Sequence, residues 1–162
     1  MPDTTRPLAV FDIDGVLADV SHRVHFLERR FKDWQSFFAA AVHDAVLDPG
    51  AALVREAARE CEVIYLTGRP EGCRSDTLTW LAQHGLPEGV LYMRPHADHR
   101  PARSLKPSIL RRAARDRTVA VIVDDDLEVC EAYEAAGWTV LRADWAHRSA
   151  ALETAQESEG RT

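Results

Sequence analysis

The sequence has 162 residues, of which 46% are hydrophobic, and a formal net charge of -6 with a pI near 5.6. This length suits one domain with a sizeable core and is short for two domains. The acidic balance argues against broad nonspecific binding to nucleic acid or to anionic membranes, because both depend on a basic surface field.

The cysteine pattern and the amino-terminal residues bear on location. Three cysteines, odd in number and widely separated, indicate neither a disulfide framework nor a zinc site. The first residues show no basic start followed by an apolar core, and no later stretch approaches the roughly 18 apolar residues of a membrane span. We therefore expect a soluble, cytoplasmic protein with no membrane partner.

Strands and helices are predicted to alternate along the chain. Short apolar runs predict four strands, at residues 8–12, 62–67, 90–93 and 119–124, and a weaker fifth at 139–143. Between them, apolar residues at helical spacing predict helices over residues 24–42, 51–60, 74–84, 104–115 and 127–136. This alternation is typical of βαβ units, so we expect an α/β fold with a doubly wound, Rossmann-like parallel sheet.

We expect one domain over residues 1–162, with a core of residues 7–20 and 49–145. The insertion at residues 21–48 would form a small helical cap over the site, and the polar tail at about 151–162 is expected to fray. The cap contains five aromatic residues, Phe26, Phe31, Trp34, Phe37 and Phe38. We expect these aromatics to be packing residues, with stacking of one ring on a base as the alternative.

Polar and charged residues follow each of the first four predicted strands, at the edge where sheets of this kind bind ligands. Asp12 and Asp14 follow the first strand, and Arg94 follows the third. The other two strands are followed by Thr67, Gly68 and Arg69 and by Asp124, Asp125 and Asp126. We expect these side chains to converge on one crevice suited to a metal ion and a phosphate.

The residue types in this crevice indicate phosphoryl chemistry. Converging carboxylates repel one another unless a cation neutralises them, and oxygen ligands without His or Cys favour Mg²⁺, the expected cofactor. Asp12 is the candidate nucleophile, and Asp14, which a tight turn at Gly15 would bring to the same phosphate, is the candidate general acid and base. Thr67 and Lys106 are candidate donors to the phosphate oxygens, where negative charge spreads in the transition state.

Each motif also has an ordinary structural explanation. The stretch FDIDGVLAD is compatible with a hairpin at Asp-Gly, LTGRP with a plain turn, and Lys106 with a solvated helix lysine. The combination favours a site, because three acids directly after a pure β run are unusual in a solvated turn.

The motifs FDIDGVL, YLTGRP, RSLKPS and VIVDDDLEVCEAYEAAG, in this order, resemble those of haloacid dehalogenase (HAD) superfamily phosphohydrolases over about residues 7–145. The resemblance implies that Asp12 is the nucleophile, that Asp14 is the general acid and base, and that Thr67 and Lys106 bind phosphate. It implies a Mg²⁺ site formed by Asp12, the Asp14 carbonyl, Asp124 and Asp125. It leaves the role of Asp126 open.

The arginines carry a narrower resemblance, to the 3′-phosphatase domain of bacteriophage-type polynucleotide kinases. Arg23 lies eleven residues after Asp12, and the stretch YMRPHADHR precedes the lysine. The resemblance implies a substrate-binding set formed by Arg23, Gly68, Arg69, Arg94 and Arg100, with Asp98 beside them. The chain has no G-x-x-x-x-G-K-[ST] loop, so we expect no kinase activity.

The expected function is Mg²⁺-dependent hydrolysis of a phosphomonoester through an aspartyl-phosphate, on a nucleotide or a polynucleotide 3′-phosphate. The expected partner is therefore a phosphorylated substrate, and the alternative is a small-molecule or mononucleotide phosphatase. A receiver-like phosphoacceptor uses similar residues, but it carries its acidic pair on the first strand and its acceptor on a later one. An inactive phosphate-binding module is the remaining alternative, although every catalytic position is filled.

Overall fold

The computed structural model describes residues 5–162, and a parallel sheet forms its centre. The strands are β1 (Leu8–Phe11), β2 (Ala18–Asp19), β3 (Ala45–Val46), β4 (Glu62–Pro70), β5 (Val90–Arg94), β6 (Val119–Asp124) and β7 (Val140–Arg142). The helices are α1 (Trp34–Ala39), α2 (Asp48–Ala57), α3 (Arg74–Gln83), α4 (Ala102–Ala113), α5 (Leu127–Ala135) and α6 (Ala150–Glu153). The five predicted strands are all present, and β4 runs three residues further than predicted.

The alternating side chains of β1 show how both faces of the sheet are covered. Ala9 and Phe11 belong to one hydrophobic cluster, which includes residues of α2 and α3. Leu8 and Val10 belong to a second cluster, which includes residues of α4 and α5. Successive strand residues point to opposite faces, so an entirely apolar strand is buried on both sides. The predicted α/β, Rossmann-like fold is confirmed.

The strand order places three strand ends side by side. The sheet runs β5-β4-β1-β6-β7, and β1 pairs in parallel with both β4 and β6. After β1, the chain first adds β4 and β5 on one side of that strand. It then crosses the sheet and adds β6 and β7 on the other side. The carboxyl ends of β4, β1 and β6 therefore meet next to the point where the winding direction reverses, which is where open α/β sheets bind ligands.

The cap is less regular than the sequence predicts. The single helix expected over residues 24–42 is instead a 3-10 helix (Ser21–Phe26), the short helix α1 and a second 3-10 helix (Ala40–His43). The break occurs because Asp33 starts a new helix, where its Oδ1 accepts the Ser36 backbone N–H at 3.0 Å. Phe31, in the break, is 80% exposed, so the expectation that it packs internally is wrong.

The tail that we expected to fray is folded against the cap. Residues 150–153 form α6, and a π-helical turn (Thr154–Ser158) follows. Leu152 and Ala155 are buried in a cluster that contains Val20 and Phe37. The expectation was wrong because this mostly polar segment contains Leu152 and Ala155, which are three residues apart. At that spacing both side chains lie on one helical face, the face that packs against the cap.

Within residues 5–162, no helix is long and apolar enough to cross a membrane.

Gly50, in the first turn of α2, offers a test of the fit between that helix and the loop after β1. A Cβ added to Gly50 would collide with the backbone carbonyl of Val16, whereas nothing lies within 4 Å of a Cβ added to Gly72. Because the obstacle is backbone, we expect Gly50→Ala to lower the free energy of unfolding by about 1–3 kcal/mol in urea denaturation. Gly72→Ala is the control, and equal stability of the two variants would contradict the predicted collision.

Candidate active site

Three carboxylates meet at the carboxyl edge of the sheet. Asp12 directly follows β1, while Asp124 and Asp125 stand at the end of the neighbouring β6. All three residues are buried, and each can offer one oxygen such that these atoms lie within 4.8 Å of one another. The structure thus brings three of the four predicted metal-binding residues together through the pairing of β1 with β6.

Lys106 carries a positive charge into this carboxylate cluster. Its Nζ lies 3.0 Å from Oδ2 of Asp12 and 2.7 Å from Oδ2 of Asp124. Burial opposes the charge on Lys106, but the carboxylates of Asp12 and Asp124 raise the lysine pKa well above its ordinary value. Burial and the charge of Asp124 raise the pKa of Asp12 well above its ordinary value. The lysine is therefore a fixed cation beside the candidate nucleophile.

The donor set fits a hard divalent cation. Oδ2 of Asp125 pairs with Nη1 of Arg148 at 2.6 Å, whereas Oδ1 of Asp125 is buried without a hydrogen-bond partner among residues 5–162. Burial raises the pKa of Asp125 to about 7, although Arg148 acts to lower it. Among the described residues, Lys106 and Arg148 are the cations paired with the three carboxylates, which leaves one negative charge uncompensated. Oxygen donors of this kind prefer Mg²⁺ or a similar ion. The cluster residues Asp12, Asp124 and Asp125 would hold it.

The side chain of Asp14 is bound by two arginines. Its Oδ1 lies 2.5 Å from Nη2 of Arg69 and 3.1 Å from Nη2 of Arg23. Burial acts to raise the pKa of Asp14, but Arg69 and Arg23 overcome that effect and lower it below the ordinary value. Gly15, with φ of +78°, makes the turn that follows. In this arrangement Asp14 is ionised, and the metal contact of its carbonyl stays a prediction.

A further buried carboxylate, Asp44, holds the same two arginines, and sequence reasoning missed it. Oδ1 of Asp44 accepts Nε of Arg23 at 2.8 Å, and its Oδ2 accepts Nη2 of Arg69 at 3.0 Å. Because Asp44 lies at the end of the cap, directly before β3, it fixes both arginines on Asp14 from the cap side. In the sequence, Asp44 is an isolated acid in the stretch VHDAV and belongs to none of the motifs.

Thr67 and Gly68 lie inside β4, directly before Arg69. Oγ1 of Thr67 is buried and accepts the Arg69 backbone N–H at 3.2 Å. The Gly68 carbonyl accepts Nε of Arg94 at 3.1 Å, and a Cβ added to Gly68 would collide with the backbone of Thr162. The glycine therefore permits a close approach between two stretches of backbone beside the candidate phosphate donor.

The remaining predicted residues also make structural contacts, in the loop after β5 and at the start of α5. Nη1 of Arg94 binds the carbonyls of Asp98 at 3.0 Å and Arg100 at 2.7 Å, which organises the loop after β5. Arg100 is exposed and pairs with Asp98 at 2.8 Å, so the structure does not bring it to the carboxylate cluster. Asp126 caps α5 by accepting the Glu128 backbone N–H at 3.0 Å.

Comparison with solved structures defines the class of fold. A chain of the Pnkp1/Rnl/Hen1 RNA repair complex is similar at 21% identity and a TM-score of 0.74, with 90% of this chain and 45% of that chain covered. A haloacid dehalogenase-like hydrolase from Streptococcus pneumoniae is similar at 16% identity and a TM-score of 0.64, with 93% and 90% covered. A HAD family enzyme from Bacteroides thetaiotaomicron, in complex with magnesium and inorganic phosphate, is similar at 10% identity and a TM-score of 0.54, with 91% and 98% covered. The fold is that of the HAD hydrolases.

A match to a family model places the chain in one family within this class. The model of the polynucleotide kinase PNKP phosphatase domain matches residues 7–146. The chain therefore belongs to the PNKP phosphatase family and is a HAD-type phosphatase, which confirms the resemblance seen in its motifs. It spans 45% of the first solved chain described above, less than half of that chain's length. No curated protein matches the sequence at a significant level.

Neutralising Asp12 is expected to stabilise the metal-free protein. An acid whose pKa is raised by folding destabilises the native state above its unfolded pKa, near 3.8 for Asp12, and this effect disappears as the pH falls below that value. We expect Asp12→Asn in EDTA at neutral pH to raise the free energy of unfolding above that of the wild type. Urea denaturation across pH measures the gain, with the exposed Asp116→Asn as control. A loss of stability in Asp12→Asn would contradict the raised pKa.

Removing the negative charge of Asp44 should have the opposite effect on stability. Asp44→Asn leaves Arg23 and Arg69 buried with one carboxylate, Asp14, between them. Breaking a buried pair from one side is strongly destabilising, so we expect a loss of about 3–5 kcal/mol in urea denaturation and lower hydrolysis of p-nitrophenyl phosphate. Asp48→Asn, an exposed acid at the start of α2, is the control. Wild-type stability of Asp44→Asn would show that Asp44 is not needed to hold the arginines.

Proposed function

We propose that this phosphatase is Mg²⁺-dependent and hydrolyses a nucleotide or polynucleotide 3′-phosphate through an aspartyl-phosphate. The observation that carries the proposal is the buried meeting of Asp12, Asp124, Asp125 and Lys106 in one crevice. Phosphoryl transfer to a carboxylate requires a carboxylate nucleophile, a cation beside it and oxygen ligands for a metal. All three occur here. Asp12 is the carboxylate, the Lys106 ammonium lies 3.0 Å from it, and Asp12, Asp124 and Asp125 offer oxygens that lie within 4.8 Å of one another.

Two displacements at phosphorus complete the proposed reaction. In the first, an oxygen of Asp12 attacks phosphorus, the bond from phosphorus to the leaving oxygen breaks, and a protonated Asp14 gives that oxygen its proton. In the second, water attacks phosphorus, the Asp14 carboxylate takes the water proton, and the bond from phosphorus to Asp12 breaks. The products are the alcohol, inorganic phosphate and the original Asp12 carboxylate, with the proton back on Asp14.

The surrounding residues stabilise negative charge during both displacements. Bound Mg²⁺ supplies charge neutralisation of the carboxylates and of the phosphate oxygens. Lys106 adds a fixed positive charge beside Asp12, and Thr67 with the backbone amide that follows it offers hydrogen-bond donors to the phosphate. Because these groups are buried, their electrostatic interactions are stronger than they would be in water.

The support for a nucleic-acid 3′ end as the substrate is of two kinds. The matched family model is that of a polynucleotide kinase phosphatase domain, and one similar solved chain belongs to an RNA repair complex. In addition, two of the four predicted substrate-binding arginines, Arg23 and Arg69, contact Asp14 beside the carboxylate cluster. A guanidinium group can donate two parallel hydrogen bonds to two oxygens of one phosphate, and a terminal phosphate has enough free oxygens for this.

The proposal is tested by phosphate release in Mg²⁺ from a 3′-phosphorylated oligonucleotide, 3′- and 5′-mononucleotides and p-nitrophenyl phosphate. We expect the highest kcat/KM for the oligonucleotide, no release in EDTA, and a loss of more than about a thousandfold in Asp12→Asn, because the nucleophile is gone. Asp116→Asn should match the wild type. Release from 5′-mononucleotides or p-nitrophenyl phosphate alone would contradict the 3′-phosphate assignment, and no release from any ester would contradict the mechanism.

A further inference from the structure

Residues 148–162, called here the strap, cross the mouth of the catalytic crevice. At one end, Nη1 of Arg148 lies 2.6 Å from Oδ2 of Asp125. At the other, the backbone of Thr162 lies against Gly68, and its carbonyl accepts Nη2 of Arg94 at 3.1 Å. Between these ends, the strap packs on the cap through the buried cluster described above. The strap therefore joins cap to core over the candidate phosphate site.

Three cations around the crevice are bound to acceptors of the strap. Lys32 of the cap pairs with Glu159, and Nη1 of Arg103 lies 2.7 Å from Oε2 of Glu157. The third is Arg94, which binds the strap backbone at Thr162. Lysine and arginine side chains are the groups with which proteins bind nucleic-acid phosphates. The acceptors of the strap thus occupy donors that could serve a phosphate backbone.

The strap also covers an aromatic face. The guanidinium carbon of Arg161 lies over the Trp34 ring, 4.6 Å from the ring centroid. Trp34 is only partly buried, and the exposed Phe31 directly precedes Lys32 in the same part of the cap. Cations that alternate with aromatic faces are the usual means of binding single-stranded nucleic acid, because each base offers a face for stacking.

The order of these contacts follows a path into the site. Along the strap, Glu157 meets Arg103, Glu159 meets Lys32, Arg161 meets Trp34, and Thr162 meets Arg94 and Gly68. The path ends beside Thr67, the candidate phosphate donor. The strap thus already places acceptors and a guanidinium group where a strand leading to a bound 3′-phosphate would run.

We propose that Lys32, Trp34, Arg94 and Arg103 form a subsite for the single strand that precedes the 3′-phosphate, and that the strap occupies this subsite as an internal mimic of the strand. The proposal rests on the proposed function, because it needs a polynucleotide substrate. It also explains how a protein with a net charge of -6 binds a polyanion, since a few local cations suffice once the strap has moved.

The Lys32–Glu159 pair provides a test, because it can be broken from either side. Glu159→Gln removes the mimic and leaves the subsite, so kcat/KM for a 3′-phosphorylated oligonucleotide, divided by that for p-nitrophenyl phosphate, should rise about two- to fivefold. Lys32→Gln breaks the same pair but removes a strand contact, so this ratio should fall. If the pair only braces the fold, both variants should move the ratio in the same direction.

Exposed residues of α5 and α4 provide controls for net charge. Glu134→Gln and Arg112→Gln make the same charge changes away from the strap, and we expect neither to change the ratio. A wild-type protein that hydrolyses the oligonucleotide, combined with parallel shifts in the two pair variants or shifts no larger than those of the controls, would overturn the subsite alone. A wild-type protein that hydrolyses only p-nitrophenyl phosphate would overturn the 3′-end assignment and the subsite together.

Binding of the product strand gives a readout that does not depend on catalysis. A fluorescent oligonucleotide with a 3′-hydroxyl is titrated into each variant at several salt concentrations. We expect Glu159→Gln to tighten the Kd and Lys32→Gln to weaken it, and we expect Lys32→Gln to reduce the slope of log K against log salt by about 0.7, the value for one lost contact to single-stranded phosphate. An unchanged slope in Lys32→Gln would contradict a direct contact.

Discussion

The burial of charge at the carboxyl edge of the sheet is the constraint on which the rest of the structure depends. Five of the buried carboxylates converge there with their ion pairs, Asp12, Asp14, Asp44, Asp124 and Asp125. Four cations come from four different parts of the chain to meet them, Arg23, Arg69, Lys106 and Arg148. An unpaired charge in a buried site is strongly unfavourable, so the cap, β4, α4 and the strap are each tied to this point by an ion pair.

These charges divide into two groups with different balances. Asp14 and Asp44 share two arginines, and this group is neutral. The carboxylate cluster keeps one more acid than it has cations. The pKa values follow the same division, because the pKa of Asp14 is lowered while those of Asp12 and Asp125 are raised. The surplus of negative charge thus lies where a divalent ion would bind, and the balanced group lies where the substrate phosphate would meet arginines.

The sequence was sufficient for the sheet and for most of the candidate site, because both depend on local patterns. An apolar run that ends in acids specifies a buried strand and its chemistry within a few residues, as with Asp12 and Asp124. Asp44 and Arg148 could not be found this way, because each acts only through partners far along the chain. The broken cap helix and the folded strap were missed for a similar reason. Asp33 overrides the helical periodicity, and the strap is ordered by contacts with the cap rather than by its own composition.

Asp14 belongs to the neutral group of two acids and two arginines, and it is also the general acid and base of the proposed reaction. As a general acid it must carry a proton when the leaving oxygen departs, yet Arg69 and Arg23 lower its pKa. A substrate phosphate offers those guanidinium groups an alternative partner with two or three oxygens and a higher charge. If the arginines turn toward it, Asp14 loses the interactions that keep it ionised, and burial alone then raises its pKa. Asp44 would still bind both arginines while they exchange Asp14 for the phosphate. Substrate binding itself would thus prepare the acid, and departure of the phosphate would restore the carboxylate.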